Sequence, residues 1–124
     1  MQIKEIISIA VVMLALDAIY LGTNRSFFSD LFRSVQGSEL KFNYKVAFFC
    51  YILMVFGLYY FIIKDKKPIL DAFLLGLLVY GVYDLTNLGT LSNWTIKMTV
   101  MDTLWGGSLF ALTTFIVYKI KEFM

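Results

Sequence analysis

Residues 80–106 read YGVYDLTNLGTLSNWTIKMTVMDTLWG, which is two apolar stretches joined by a short polar turn at Ser92–Thr95. Each stretch carries one acidic residue, Asp84 before the turn and Asp102 after it. Ionisable residues inside long apolar segments are rare, and in membrane proteins they mark functional sites or contacts between helices. The two stretches therefore predict the last pair of helices in a membrane-embedded bundle.

Two further apolar segments of membrane-spanning length precede this pair. A helix needs about 20 apolar residues, at a rise of 1.5 Å each, to cross a hydrocarbon core of about 30 Å. The predicted spans cover residues 3–22, 44–63, 69–91 and 96–118. Strands are a poor alternative, because the runs do not alternate and four strands cannot close a barrel in lipid. The sequence predicts an all-α integral membrane protein, a four-transmembrane-helix bundle formed by one domain of residues 1–124.

The composition supports this class and excludes several others. Hydrophobic residues make up 60% of the chain and charged residues 16%, against roughly 45–50% hydrophobic residues in soluble domains. The absence of His excludes Ser-His-Asp triads and His-ligated zinc or haem, and the single Cys50 excludes CxxC pairs. A net charge of +2 without a basic face argues against a nucleic-acid partner. We expect the lipid bilayer as the surroundings and no cofactor.

An amphipathic segment lies in the polar link between the first two spans, residues 24–43. Its apolar residues recur at helical spacing and are Phe27, Phe28, Leu31, Phe32 and Val35. Charged residues occupy the positions between them, which is typical of a helix with one apolar face. The pattern predicts a short interfacial amphipathic helix over Arg25–Val35, between helices 1 and 2.

Three aspartates fall at one depth in the predicted bundle. Asp17 lies five residues before the end of the first span, Asp84 seven before the end of the third, and Asp102 six after the start of the fourth. All three therefore lie about 7–11 Å inside the membrane face opposite the termini. Each would cost about 2.5–3.5 kcal/mol if left unpaired. We expect them to converge in one inward polar cavity, with at least one protonated because like charges oppose joint ionisation.

Helical spacing adds polar neighbours to each acid and defines a candidate site for a substrate or an ion. Its residues are Asp17, Tyr20, Tyr80, Tyr83, Asp84, Asn87, Asp102 and Trp105. Asp84 is the expected centre because it lies farthest from the helix ends, with Tyr80 and Asn87 one turn away and able to bond to it. No catalytic residue is predicted, and a metal is left open.

The same residues carry a resemblance to a known family. YGVYDLTN (Tyr80–Asn87), Trp94 in the turn and VMDTLWG (Val100–Gly106) match its motifs, and LDAIYLG (Leu16–Gly22) matches its first-helix motif. The chain resembles the uncharacterised small four-helix membrane proteins of the domain of unknown function family twenty-one seventy-seven. Gly89 stands where that pattern suggests Ala. The resemblance implies the fold and no particular activity.

The acid layer favours one function and leaves two alternatives open. The favoured function is a channel or a proton- or cation-coupled transporter of a small solute, and so small a bundle implies a dimer or a higher oligomer. The first alternative is a structural or accessory membrane subunit that binds a partner or lipid, with the acids as interhelical hydrogen-bonding glue. The second is a subunit of a lipid-linked enzyme, although no His, reactive Cys or nucleophile elbow supports catalysis. The solute and the ion are left open.

The orientation rests on a small difference in basic residues. Four spans place both termini on one side, and that side carries six of the 11 Lys and Arg residues. Because positive charge favours the cytoplasmic side, we expect cytoplasmic termini. The first span alternatively resembles a cleaved signal peptide, but Glu5 weakens its basic start and no small-x-small cleavage site follows it.

Overall fold

The computed structural model describes residues 3–36 and 44–123, and no strand occurs among them. The helices are α1 (Ile3–Thr23), α2 (Arg25–Gln36), α3 (Tyr44–Leu58), α4 (Ile69–Thr90) and α5 (Ile96–Lys121). Four of the helical segments are long and apolar enough to cross a membrane, namely α1, α3 with its continuation to residue 63, α4 and α5. The predicted class, an all-α bundle with four membrane-spanning helices and a short helix between the first two, is confirmed.

The second predicted span ends at residue 63 as expected, but its last turn changes helix type. Residues Tyr59–Ile63 form a π-helix in which the Lys64 N–H donates to the Tyr59 carbonyl at 2.8 Å. The fourth span continues beyond residue 118 to Lys121. Lys119 and Lys121 in its last turn favour this extension, because cations stabilise a helix C-terminus.

Local residues define where α4 and α5 begin. Pro68 precedes α4 with extended dihedral angles (φ −60°, ψ 155°), which suit the residue before a helix. Thr95 caps α5, because its side chain accepts a hydrogen bond from the Met98 N–H at 3.0 Å. The chain reverses ahead of Pro68 through Lys66, which adopts a positive φ of 53°. Residues in the two turns, Pro68 and Thr95, therefore determine where α4 and α5 begin.

α5 is the central helix of the bundle and packs against α4 and α1, while α1 packs in turn against α3. The contact with α4 is close because Gly76 faces the backbone of Gly106 and Gly107, so a Cβ on Gly76 would lie 2.8 Å from the Gly107 Cα. Real Cβ atoms essentially never approach so closely. Small residues thus let the two backbones meet, as they do at many membrane helix crossings.

The apolar face of α2 packs on the bundle. Phe28 and Leu31 are 6% exposed and share a cluster with Trp94 and Met98, from the α4–α5 turn and the first turn of α5. The Asn93 side chain adds a hydrogen bond from Nδ2 to the Ser34 carbonyl at 2.8 Å. α2 therefore covers the end of the bundle that carries the α4–α5 turn. Residues 37–43 of the predicted link lie outside the described residues.

Gly76→Ala is expected to destabilise the bundle by about 1–3 kcal/mol, the usual cost of overpacking a tight contact. The matched control is Gly89→Ala, because a Cβ on Gly89 meets nothing within 4 Å. The control should gain up to about 1 kcal/mol from helix propensity. Thermal or denaturant unfolding in detergent micelles, followed by circular dichroism, measures both changes. Equal stabilities for the two variants would contradict the close α4–α5 contact.

Candidate functional site

Asp17 joins three helices through hydrogen bonds to its carboxyl group. The Tyr51 hydroxyl, from α3, donates to Oδ2, and the Trp105 indole N–H, from α5, donates to Oδ1 at 3.0 Å. Asp17 itself belongs to α1, and only 8% of its surface is exposed. Both oxygens of this buried carboxyl group have a donor, as buried acceptors normally do. Asp17 is therefore a fixed acceptor that links α1, α3 and α5.

Asp84 and Asp102 form a second arrangement on the neighbouring helices α4 and α5. Their carboxyl groups are near enough for a hydrogen bond once one of them carries a proton. Asp84 is completely buried, and within the described part of the chain neither of its oxygens has a donor. Two ionised carboxylates offer acceptors only. The pair therefore needs a proton or another donor from outside these two side chains.

Tyr20 connects the acids to one another and to α2. Its hydroxyl is buried without a hydrogen-bond partner among the described residues, and it interacts electrostatically with Asp17, Asp84 and Asp102. Its ring stacks on Trp105, with centroids 4.4 Å apart and planes 4° apart, and meets the Phe28 ring edge-on at 5.5 Å. One tyrosine thus interacts with all three acids, and its ring contacts the covering helix.

The expected bonds from Tyr80 and Asn87 to Asp84 are wrong. Tyr80 instead interacts electrostatically with Asp17 and Asp102, and its ring packs over Gly106. The Asn87 side chain interacts with Tyr83, which is more than half exposed. Neither side chain bonds to Asp84 among the described residues, whereas the carboxyl group of Asp102, from α5, lies within hydrogen-bonding reach of it.

Two lysines, one near each end of the bundle, have partners outside the acid layer. The Lys97 ammonium lies over the Phe27 ring, 5.2 Å from its centroid. An ion pair of 3.0 Å joins Lys121 to Glu5 at the opposite end. Among the residues that the structure describes, no three acidic or cysteine side chains are grouped so as to hold one metal ion.

Sequence reasoning missed Tyr51 as part of the site. Tyr51 lies seven residues into α3, or about 10 Å from the start of that helix. This is the depth of the three acids, so the same arithmetic would have found it. Three threonine hydroxyls on α5 were not included in the predicted site either. They are buried without a hydrogen-bond partner among the described residues, and they belong to Thr103, Thr113 and Thr114.

These features define a class: a membrane protein of four apolar helices with acidic side chains inside the bundle. The chain matches the family described as Predicted membrane protein (DUF2177) over residues 2–119. It belongs to that family. No curated protein and no solved structure gives a significant match to the chain.

Tyr51→Phe is expected to destabilise the protein by about 1–3 kcal/mol, because Asp17 then loses one of two donors while it stays buried. The matched control is Tyr60→Phe, since Tyr60 is 58% exposed and an exposed change usually stays within about 0.5 kcal/mol. Denaturant unfolding in micelles compares the two variants. A Tyr51→Phe protein as stable as the control would show that the hydrogen bond to Asp17 contributes nothing.

Proposed function

We propose that this protein is a transporter that couples proton movement to the movement of a small solute, with Asp84 and Asp102 as the proton-exchanging pair. The observation that carries the proposal is Asp84, which is fully buried and whose two oxygens have no hydrogen-bond donor among the residues that the structure describes, apart from a proton that it can share with Asp102. A structural carboxyl normally has its partners, because an unsatisfied buried polar group is costly. A carboxyl group that binds and releases a proton, in contrast, needs its oxygens free of permanent hydrogen-bond donors.

The division of roles among the acids supports this proposal. Asp17 has two donors, from Tyr51 and Trp105, and needs no proton to be satisfied. Two neighbouring carboxyls favour binding one proton between them, because both cannot ionise cheaply side by side. The Asp84–Asp102 pair is thus the part of the layer whose proton can exchange.

An apolar layer beneath the acids favours a transporter over an open channel. Ile9, Met13 and Leu109 are fully buried in the main core cluster. Ile9 lies about 12 Å deeper than Asp17 along α1, and Leu109 about 10 Å deeper than Asp102 along α5. Ions do not pass a dry apolar layer unless it opens. Transport would therefore alternate access to the acids rather than hold one continuous path.

The proposed transporter is a dimer or a higher oligomer, and both of its termini lie in the cytoplasm. Large apolar side chains remain exposed on every span, for example Ile19, Leu53, Leu78 and Ile96, and they can face lipid or a second copy. The mass of the purified protein in detergent tests the oligomer. Labelling of a cysteine added near either terminus, from one side of a vesicle, tests the orientation.

Asp17 favours a second candidate function, in which the acids only hold the bundle together. Its two hydrogen bonds tie α1 to α3 and α5, as expected for interhelical glue in a structural or accessory subunit. The two candidates differ at Asp84, because glue needs a partner and proton exchange needs a titrating group.

Asp84→Asn is expected to abolish proton-coupled flux in proteoliposomes, because the amide keeps the shape and hydrogen-bonding capacity of the acid but cannot titrate. Asp71→Asn is the matched control, since Asp71 lies in the first turn of α4 at the opposite end of the same helix. A trapped pH-sensitive dye reports the flux under an imposed pH gradient. The control should retain wild-type rates.

Two results would count against transport through this site. Wild-type vesicles that are no more permeable to protons than protein-free vesicles would exclude proton movement under the conditions used. Flux that survives Asp84→Asn with its pH dependence intact would make Asp84 a structural residue. Circular dichroism and gel filtration of each variant show that it is folded before the comparison.

A further inference from the structure

We propose that the solute carries a primary ammonium group, and that this group binds between the carboxyl of Asp84 and the hydroxyl of Tyr20. That this ligand is the transported solute rests on the function proposed above. The binding site itself rests on the unpartnered polar atoms around the acids.

The site is rich in acceptors and poor in donors. Within the described part of the chain, both oxygens of Asp84 are buried without a donor, and the buried Tyr20 hydroxyl has no hydrogen-bond partner. Asp102 adds further acceptor oxygens beside Asp84. A complementary ligand must therefore bring donors. An ammonium group brings three N–H donors and no acceptor, whereas an anion or a carbonyl compound would add acceptors to an environment that already has too many.

The charge of the site selects a cation. Three carboxyl groups interact with Tyr20, while the ammonium of Lys97 is over Phe27. A bare divalent ion needs several oxygens in direct contact at about 2.0–2.6 Å, and the described acids are not grouped for this. An ammonium group binds through longer hydrogen bonds, which are strengthened when both partners are charged.

The surroundings of the acids limit the size and nature of the rest of the ligand. The stacked rings of Tyr20 and Trp105 lie beside the carboxyl group of Asp17, which accepts a hydrogen bond from the Trp105 indole N–H. Aromatic rings attract cations and tolerate small apolar substituents. Asp84 has no exposed surface, so a ligand enters only when its covering side chains move. These constraints indicate a small amine and exclude a bulky one.

The experiment measures binding of methylammonium to the full-length protein in nanodiscs, by calorimetry or by the fluorescence of the tryptophans. Tetramethylammonium is the matched probe, because it has the same charge and no N–H donor. We expect methylammonium to bind at least about tenfold more tightly, the effect of losing charge-assisted hydrogen bonds. Equal affinities for the two probes, or no binding of methylammonium, would overturn the ammonium site.

Two variants locate the site. Asp84→Asn should weaken methylammonium binding by about tenfold or more, and Asp71→Asn should leave it unchanged. Tyr20→Phe keeps the ring that stacks on Trp105 and removes only the hydroxyl, so it should weaken binding several-fold even if the Asp84 variant fails to fold. Wild-type affinity in a folded Tyr20→Phe protein would show that the hydroxyl is not a ligand and would overturn the proposed position.

Binding and transport fail in different ways. Proton flux in vesicles without methylammonium binding in nanodiscs would overturn the ligand class and leave the transporter proposal standing. Methylammonium binding at Asp84 without proton flux would support the ammonium site and contradict transport. Binding is the chosen readout because methylamine crosses a bilayer as the neutral base and collapses pH gradients without any protein.

Discussion

A carboxyl group that enters an apolar helix bundle loses its water and must find donors or a proton within the protein. Asp17 meets this requirement with donors from two other helices, Tyr51 on α3 and Trp105 on α5. Because each donor belongs to a different element, the requirement fixes how α1, α3 and α5 stand at this depth. The Trp105 ring, held by its bond to Asp17, also supports the stacked ring of Tyr20. The packing of the acid layer thus depends on one buried carboxylate.

The second pair of acids depends on a backbone contact rather than on a hydrogen bond. Gly76 and Gly106 bring α4 and α5 together without side chains between them. Asp84 lies about two turns from Gly76 and Asp102 about one turn from Gly106, so a close crossing brings their carboxyls close as well. A wider helix separation would leave room for solvent or for a partner side chain. The approach of Asp84 to Asp102 is therefore a consequence of how small residues shape the interface.

The sequence predicted the bundle and the level of the acids but not the contacts among them. Length and hydropathy suffice for the spans, and counting residues from the helix ends suffices for the depth of Asp17, Asp84 and Asp102. Spacing along one helix failed for Asp84, because it cannot say which neighbouring helix comes closest. It also passed over Tyr51, although counting residues from the start of α3 places this tyrosine at the depth of the acids. Likewise, the helical spacing of apolar residues in α2 predicted an apolar face, but it did not predict that this face packs against the α4–α5 turn and the start of α5.

The two ends of the bundle are built differently. At the end with the termini, the Lys121–Glu5 ion pair and a hydrogen bond of 2.7 Å from the Tyr118 hydroxyl to the Lys67 carbonyl join the ends of separate segments. At the acid end, Asn24 links α2 to α1, and α2 rests on aromatic and aliphatic contacts such as Phe28 against Tyr20, beside the hydrogen bond from the Asn93 side chain to the Ser34 carbonyl. Apolar contacts of this kind are non-directional, whereas hydrogen bonds require a set geometry. The Tyr20 ring, which contacts Phe28 of α2 and stacks on Trp105, therefore links the covering helix to the acid layer.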